Sequence, residues 1–229
     1  MIMQLFTHED GYYALTGTGM AVAVILTAAL IILTAFIHTR GGDEKEKKQL
    51  FTTKQLVFSA VALALAFALS YVKIFHMPWG GSVTLCSMLF VSLIGYWYGP
   101  QIGLISAFAY GMLQFIQEGG SYILSPLQVC LDYLFAFTAL GVSGFFSKKK
   151  NGLVTGYIAG VLLRGLLHSI GGYLYWMDYM PDNFPKSLTV IYPFCYNYAY
   201  LIAEAMITLV IICIPAVSKA LGRLRTMAV

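Results

Sequence analysis

Four ionisable side chains and one amide lie inside long apolar runs of this sequence: Asp132, Arg164, His168, Glu204 and Asn197. Ionisable groups are costly in hydrocarbon, and where they persist they face a cavity or a partner. Aromatic residues crowd around them. Tyr122 precedes Asp132 by ten residues, Trp176 follows His168 by eight, and Tyr192 precedes Asn197 by five. Trp79 stands in the stretch MPWGG, and Tyr110 sits in a further apolar run. An acidic group beneath aromatic faces is a way to hold an organic cation. A histidine and an amide beside it offer directional hydrogen bonds to a heteroaromatic ring. The chemistry these types point to is recognition of a small, planar, positively charged molecule. Trp79 and Tyr122 have a second reading, an interfacial belt at headgroup depth.

Those residues must be carried by membrane helices. Of 229 residues 59% are hydrophobic and 10% charged, with a mean hydropathy of +0.76. A soluble domain carries about 25% charged residues, and a helix of roughly 20 residues crosses a bilayer. The pattern predicts seven spans, at about 15–38, 55–74, 83–98, 102–117, 123–146, 152–176 and 190–218, hence an all-α integral membrane protein. The first is too long for a signal peptide, follows Glu9 and Asp10, and leads directly into the charged linker Arg40–Lys48, so it reads as a retained helix. Eleven Lys and Arg residues flank one side of the spans, only Lys73 and Lys186 the other, and Arg164 lies inside a helix. The excess places the N-terminus outside and the C-terminus in the cytoplasm.

Counting inward from the outer helix ends, Asp132, His168, Asn197 and Tyr110 fall seven to nine residues deep. That is one layer on the order of 10–14 Å below the outer face. Arg164 and Glu204 sit deeper and are expected to form a structural ion pair between the last two helices. A proton or ion relay is the alternative, but no further carboxylate continues the path inward. In the second span Ala60, Ala64 and Ala68 recur every four residues, with Ala62 and Ala66 as a second row. Such rows let another helix approach closely, either within the chain or from a separate subunit.

Other classes are disfavoured. No basic stripe with interleaved aromatics suggests nucleic acid. Cys86, Cys130, Cys195 and Cys213 form no CxxC pair and lie at no zinc-like spacing from histidine, so neither metal nor cofactor is implied. The absence of a Walker-type phosphate loop means that transport would draw on an ion gradient or another polypeptide. A self-sufficient secondary transporter for an organic cation, driven through Arg164 and Glu204, is one competing reading. A membrane enzyme with Asp132 and His168 as acid and base is another, disfavoured for want of a nucleophile or metal set.

Taken together, these residues resemble the thiamin-specific S component of energy-coupling factor transporters. The resemblance covers about residues 50–229 and is strongest in SYILSPLQVCLDYLFAFTALGVSGFF (121–146) and LLHSIGGYLYW (166–176). The three spacings Tyr122–Asp132, His168–Trp176 and Tyr192–Asn197 match the family's thiamin-site pattern. The acidic position is commonly Glu in that family, and Tyr110 stands where a tryptophan can occur. The resemblance implies a six-helix domain at 50–229, with 1–49 adding an extra transmembrane helix and a charged linker. It implies high-affinity thiamin binding near the outer face of a prokaryotic plasma membrane. It also implies delivery through a shared transmembrane subunit and two ATPases, with no hydrolysis by this chain. In this scheme Asp132 meets the aminopyrimidine or balances the thiazolium charge, while His168 and Asn197 hydrogen-bond the pyrimidine. Trp176, Tyr110 and Tyr122 stack on rings, Tyr192 anchors near the mouth, and Trp79 closes over the ligand. Ala60, Ala64 and Ala68 resemble the family's docking motif.

Overall fold

The computed structural model describes residues 5–9, 11–25 and 51–229. The linker Arg40–Lys48, and the first expected span beyond residue 25, lie outside the described residues. The chain opens with strands β1 (Phe6–Glu9) and β2 (Tyr12–Leu15), an antiparallel hairpin, followed by helical residues 17–25 (α1). Helix α2 (Thr53–Ser70) starts in a capping box. Gln55 donates its N–H to Thr52 Oγ1 at 3.2 Å, and the Thr52 N–H donates to Gln55 Oε1 at 2.9 Å, so two orphan donors of the first turn are met.

A second hairpin, β3 (Lys73–His76) with β4 (Ser82–Thr84), leads into α3 (Ser87–Tyr98). These two hairpins are the departure from an all-α chain. The expected span 83–98 therefore begins as strand, and its helix is only 12 residues long. Helix α4 (Pro100–Gln114) follows one residue later, with Pro100 at its first position, where a missing N–H loses nothing. It runs on as a π-helical turn over Phe115–Gly119. Helix α5 (Pro126–Phe146) is capped by Ser125, whose hydroxyl accepts from the Gln128 N–H at 3.1 Å, and it widens into a π turn at Cys130–Phe135. Helices α6 (Gly152–Tyr175) and α7 (Tyr192–Cys213) complete the bundle. The expected continuation to 218 breaks at Pro215, which starts α8 (Pro215–Ala228). Proline offers no N–H and clashes with the carbonyl four residues back.

Among the described residues four segments are long and apolar enough to cross a membrane: Thr53–Ser70, Pro126–Phe146, Gly152–Tyr175 and Lys186–Cys213. Their outer faces carry exposed apolar side chains such as Val61, Leu162, Met206 and Val210, which suits a lipid surround. Helix α5 is central, packing against α3, α4 and α6, while α7 packs on α6 and on β4. The two alanine rows of α2 separate here. Ala62 and Ala66 are buried in the core, whereas Ala60, Ala64 and Ala68 are exposed.

The contact of α3, α4 and α5 depends on glycine. A Cβ on Gly141 would stand 2.5 Å from the Gly103 carbonyl oxygen, a backbone atom that cannot swing aside. Gly141→Ala should lower stability by about 1–3 kcal/mol, the scale of overpacking a tight core. Thermal unfolding in detergent measures this, with Gly222→Ala, where nothing lies within 4 Å of the added carbon, expected to lose nothing.

Candidate ligand-binding site

A cavity of about 200 Å³ opens between α5, α6, α7 and the β3–β4 hairpin. Six of the expected residues border it: Trp79, Asp132, His168, Trp176, Tyr192 and Asn197. Arg164 and Glu204 border the same cavity.

Asp132 reaches the cavity from the π turn of α5. Its Oδ2 accepts from the Trp176 indole N–H at 3.0 Å and from Gln128 Nε2 at 2.9 Å. Its Oδ1 faces His168 Nδ1 at 3.8 Å, beyond hydrogen-bonding distance, which leaves that oxygen with capacity to accept. Room for the carboxylate comes from Gly171, where a Cβ would stand 2.5 Å from Oδ1. Arg164 lies one turn before His168 and donates from Nε to His168 Nε2 at 3.3 Å. A guanidinium is donor only, so this bond assigns the imidazole proton to Nδ1, pointed toward Asp132. Asn197 is held by its own amide. Nδ2 donates to the carbonyls of Pro193 at 2.8 Å and His168 at 3.2 Å, while Oδ1 accepts from the Tyr200 hydroxyl at 3.1 Å.

The expected Arg164–Glu204 ion pair does not form. Among the described residues the ion pairs are Lys73–Glu118 at 2.6 Å and the His168–Asp132 approach. Glu204 instead accepts from the Thr84 N–H at 2.9 Å, the Thr84 hydroxyl at 2.7 Å, the Ser87 hydroxyl at 3.3 Å and the Met88 N–H at 3.3 Å. These donors lie at the end of β4 and the start of α3, where free N–H groups and the positive end of the helix dipole favour a carboxylate. The Arg164 guanidinium lies over the Phe137 ring, 3.9 Å from its centroid, an arrangement that stabilises a cation without a carboxylate.

Two further expected residues fall outside the lining. Tyr110 is fully buried, packs edge-on against Phe137 at 5.4 Å and donates to the Ala66 carbonyl at 3.2 Å. The π turn carries its helix on to Gly119, so Tyr110 sits lower than a count from residue 117 implies. Tyr122 backs Trp176 from outside at 5.7 Å and shares a 3.1 Å hydrogen bond with Tyr179. The Tyr179 hydroxyl bond, followed by desolvation, pushes the Tyr122 phenol up to about 12, so it stays protonated at physiological pH.

Several residues of the site were not anticipated from sequence. Tyr196 accepts from the Trp79 N–H and donates to the Gly80 carbonyl, both at 3.0 Å, tying the hairpin turn over the cavity. Tyr192, Tyr196 and Tyr200 stand four apart on α7, and Gln128 stands four before Asp132. That one-turn spacing was the available signal. Lys73 and Glu118 close one side of the rim.

An apolar-surfaced helical bundle around a polar, aromatic chamber, with no triad of potential metal ligands among the described residues, is the build of a membrane protein that holds a small molecule. The family model "Thiamine transporter protein (Thia_YuaJ)" matches residues 56–222. The chain is 30% identical to the thiamine transporter ThiT of Bacillus subtilis (strain 168) over 175 residues, covering 70% of this chain and 88% of that one. It is 28% identical to ThiT of Lacticaseibacillus paracasei over 149 residues, covering 57% and 73%. The solved structure of ThiT from Listeria monocytogenes shares the fold with a TM-score of 0.58 at 23% identity, covering 76% of this chain and 96% of that one. The chain belongs to the thiamine transporter family.

Tyr196→Phe keeps the ring and removes both bonds to the hairpin turn. Hydrogen exchange at the Trp79 amide should quicken about fivefold, the equivalent of one net hydrogen bond of about 1 kcal/mol. An unchanged exchange rate would refute the tether.

Proposed function

We propose that this chain captures thiamin in the cavity beneath the β3–β4 hairpin and serves as the substrate-binding subunit of an energy-coupling factor importer. The observation that carries the reading is Asp132: a buried carboxylate with an unsaturated oxygen, set among Trp176, Tyr192 and Tyr196 and beside a neutral His168. The lining as a whole suits a monocation. Asp132, Glu204 and Glu118 stand against Arg164 and Lys73, three carboxylates against two cations, one net negative charge when all are ionised. A thiazolium supplies the missing positive charge, and its pyrimidine finds donors and acceptors at Asp132, His168 and Asn197. Trp176 and Tyr192 offer ring faces, and Trp79 covers the ligand from the hairpin. Tyr110 and Tyr122 act behind this lining, the first by supporting Phe137 and the second by supporting Trp176. Aromatic contacts of about 0.5–1.5 kcal/mol per pair, added to charge-assisted hydrogen bonds, are compatible with nanomolar binding, about −12 kcal/mol.

The chain works in the plasma membrane with its N-terminus outside and its C-terminus in the cytoplasm, the cavity opening outward. It consists of an N-terminal unit, 1–49, and a six-helix binding domain, 50–229. It catalyses nothing itself. The exposed row Ala60, Ala64 and Ala68 docks on a shared transmembrane subunit, and two partner ATPases supply the energy. The commitment of Glu204 to the start of α3 counts against an ion-driven path through Arg164 and Glu204.

Calorimetry of the purified chain should give submicromolar thiamin binding and none for riboflavin. Asp132→Asn and Trp176→Ala should each weaken it at least tenfold, the scale of a lost charged hydrogen bond. Wild-type-like affinity in both variants would sink the site. With the energising module present, Ala64→Leu should abolish ATP-dependent uptake and leave thiamin affinity within twofold. Gradient-driven uptake by the chain alone would overturn the importer reading.

A further inference from the structure

The family match begins at residue 56, and nothing in the function proposed above employs the hairpin at residues 6–15. Yet that hairpin is built onto the wall of the site. Strand β2 pairs with the loop between α4 and α5. The Tyr13 N–H donates to the Ile123 carbonyl at 2.8 Å and the Ile123 N–H returns a bond to the Tyr13 carbonyl at 2.7 Å. The Leu15 N–H donates to the Gly120 carbonyl at 2.6 Å. Between these pairing points the loop holds Tyr122. The Tyr12 ring stacks on Tyr122 with centroids 4.3 Å apart and planes 25° from parallel. Tyr122 in turn lies 5.7 Å from Trp176 at 31°. Trp176 borders the cavity and donates its indole N–H to Asp132.

Trp176 needs such support. It caps the C-terminal end of α6 at φ −121°, already out of helical geometry, and the chain continues as a short 3₁₀ turn, Met177–Tyr179. Its indole orientation is set by the bond to Asp132 and by the tilted rings of Tyr122 and Tyr179, each with its centroid 5.7 Å away. We propose that the N-terminal hairpin is an accessory wall of the binding site. Tyr12 is a positioning residue that presses Tyr122 against Trp176 and so holds the indole on Asp132. Removing the Tyr12 ring loosens the indole, exposes it to solvent and opens a route for the ligand to leave.

The test uses the full chain in lipid nanodiscs. Trp79→Phe and Trp97→Phe leave Trp176 as the sole emitter of the three tryptophans. In this background Tyr12→Ala should raise acrylamide quenching of Trp176 roughly two- to tenfold, the equivalent of one aromatic pair. Tyr12→Phe, which retains the ring face, should match the parent. Tyr12→Leu, which keeps apolar bulk without the face, should fall with the alanine variant. In chains with all three tryptophans, Tyr12→Ala should speed thiamin release by the same factor while association changes less than twofold. Quenching of Trp176 that is the same in Tyr12→Ala and the parent overturns the inference, as does a Tyr12→Phe variant no better than the alanine. The release arm rests on the thiamin reading and the quenching arm does not. Quenching that responds in a chain with no thiamin affinity supports the wall and refutes the ligand.

Discussion

Glu204 stands twelve residues into α7, well inside an apolar helix, and an uncompensated charge there costs several kcal/mol. Helix α3 has the complementary problem. It begins at Cys86 in a left-handed conformation whose side chain caps none of its first N–H groups. The carboxylate and the open helix end satisfy each other through Thr84, Ser87 and Met88. One interaction thereby fastens α7, the end of β4 and the start of α3 at a single point. The same contact joins α7 to the hairpin whose turn carries Trp79. Tyr196, two turns before Glu204 on α7, adds the second attachment, at the turn itself.

With Glu204 engaged, Arg164 is left to organise the rest of the chamber. It donates to His168 and rests on Phe137. That bond fixes which imidazole nitrogen carries the proton, and the proton faces Asp132. Gln128 and Trp176 occupy the other oxygen of Asp132. The polar groups therefore form a directed series, Arg164 to His168 toward Asp132, ending on an acceptor that borders the cavity. A structural ion pair between Arg164 and Glu204 would have cancelled both charges and left His168 free to take either tautomer.

Much of this was legible in the sequence, because membrane burial penalises polar residues without a purpose. Asp132, His168, Asn197, Trp176, Tyr192 and Trp79 stand out by type, spacing and family resemblance, and they border one cavity. Ala62 and Ala66 could not be told from Ala60 and Ala64 by composition, since both rows look alike until one faces a neighbour. Two expectations rested on counting along ideal helices. A π turn at Phe115–Gly119 displaced Tyr110, and a strand at Ser82–Thr84 moved the start of α3 to meet Glu204. Neither irregularity has a periodic signature. Tyr196 was missed differently, because an aromatic on an apolar helix reads as packing until its hydroxyl finds a backbone.

Several irregular stretches border the cavity, namely the β3–β4 hairpin, both π turns and the 3₁₀ turn at Met177–Tyr179, while the 3₁₀ stretch Ala139–Phe146 contributes no residue to it. The α3–α4–α5 contact away from it is held by glycines in close backbone approach. Non-helical backbone at membrane depth survives only where protein or a cavity satisfies it. An opening in such a bundle must therefore be lined by the groups that the irregular backbone leaves unpaired, and side chains such as Glu204, Tyr196 and Asn197 supply the partners. The β1–β2 hairpin extends the same rule outward: its edge N–H and C=O groups bond to the α4–α5 loop, which carries the ring behind Trp176.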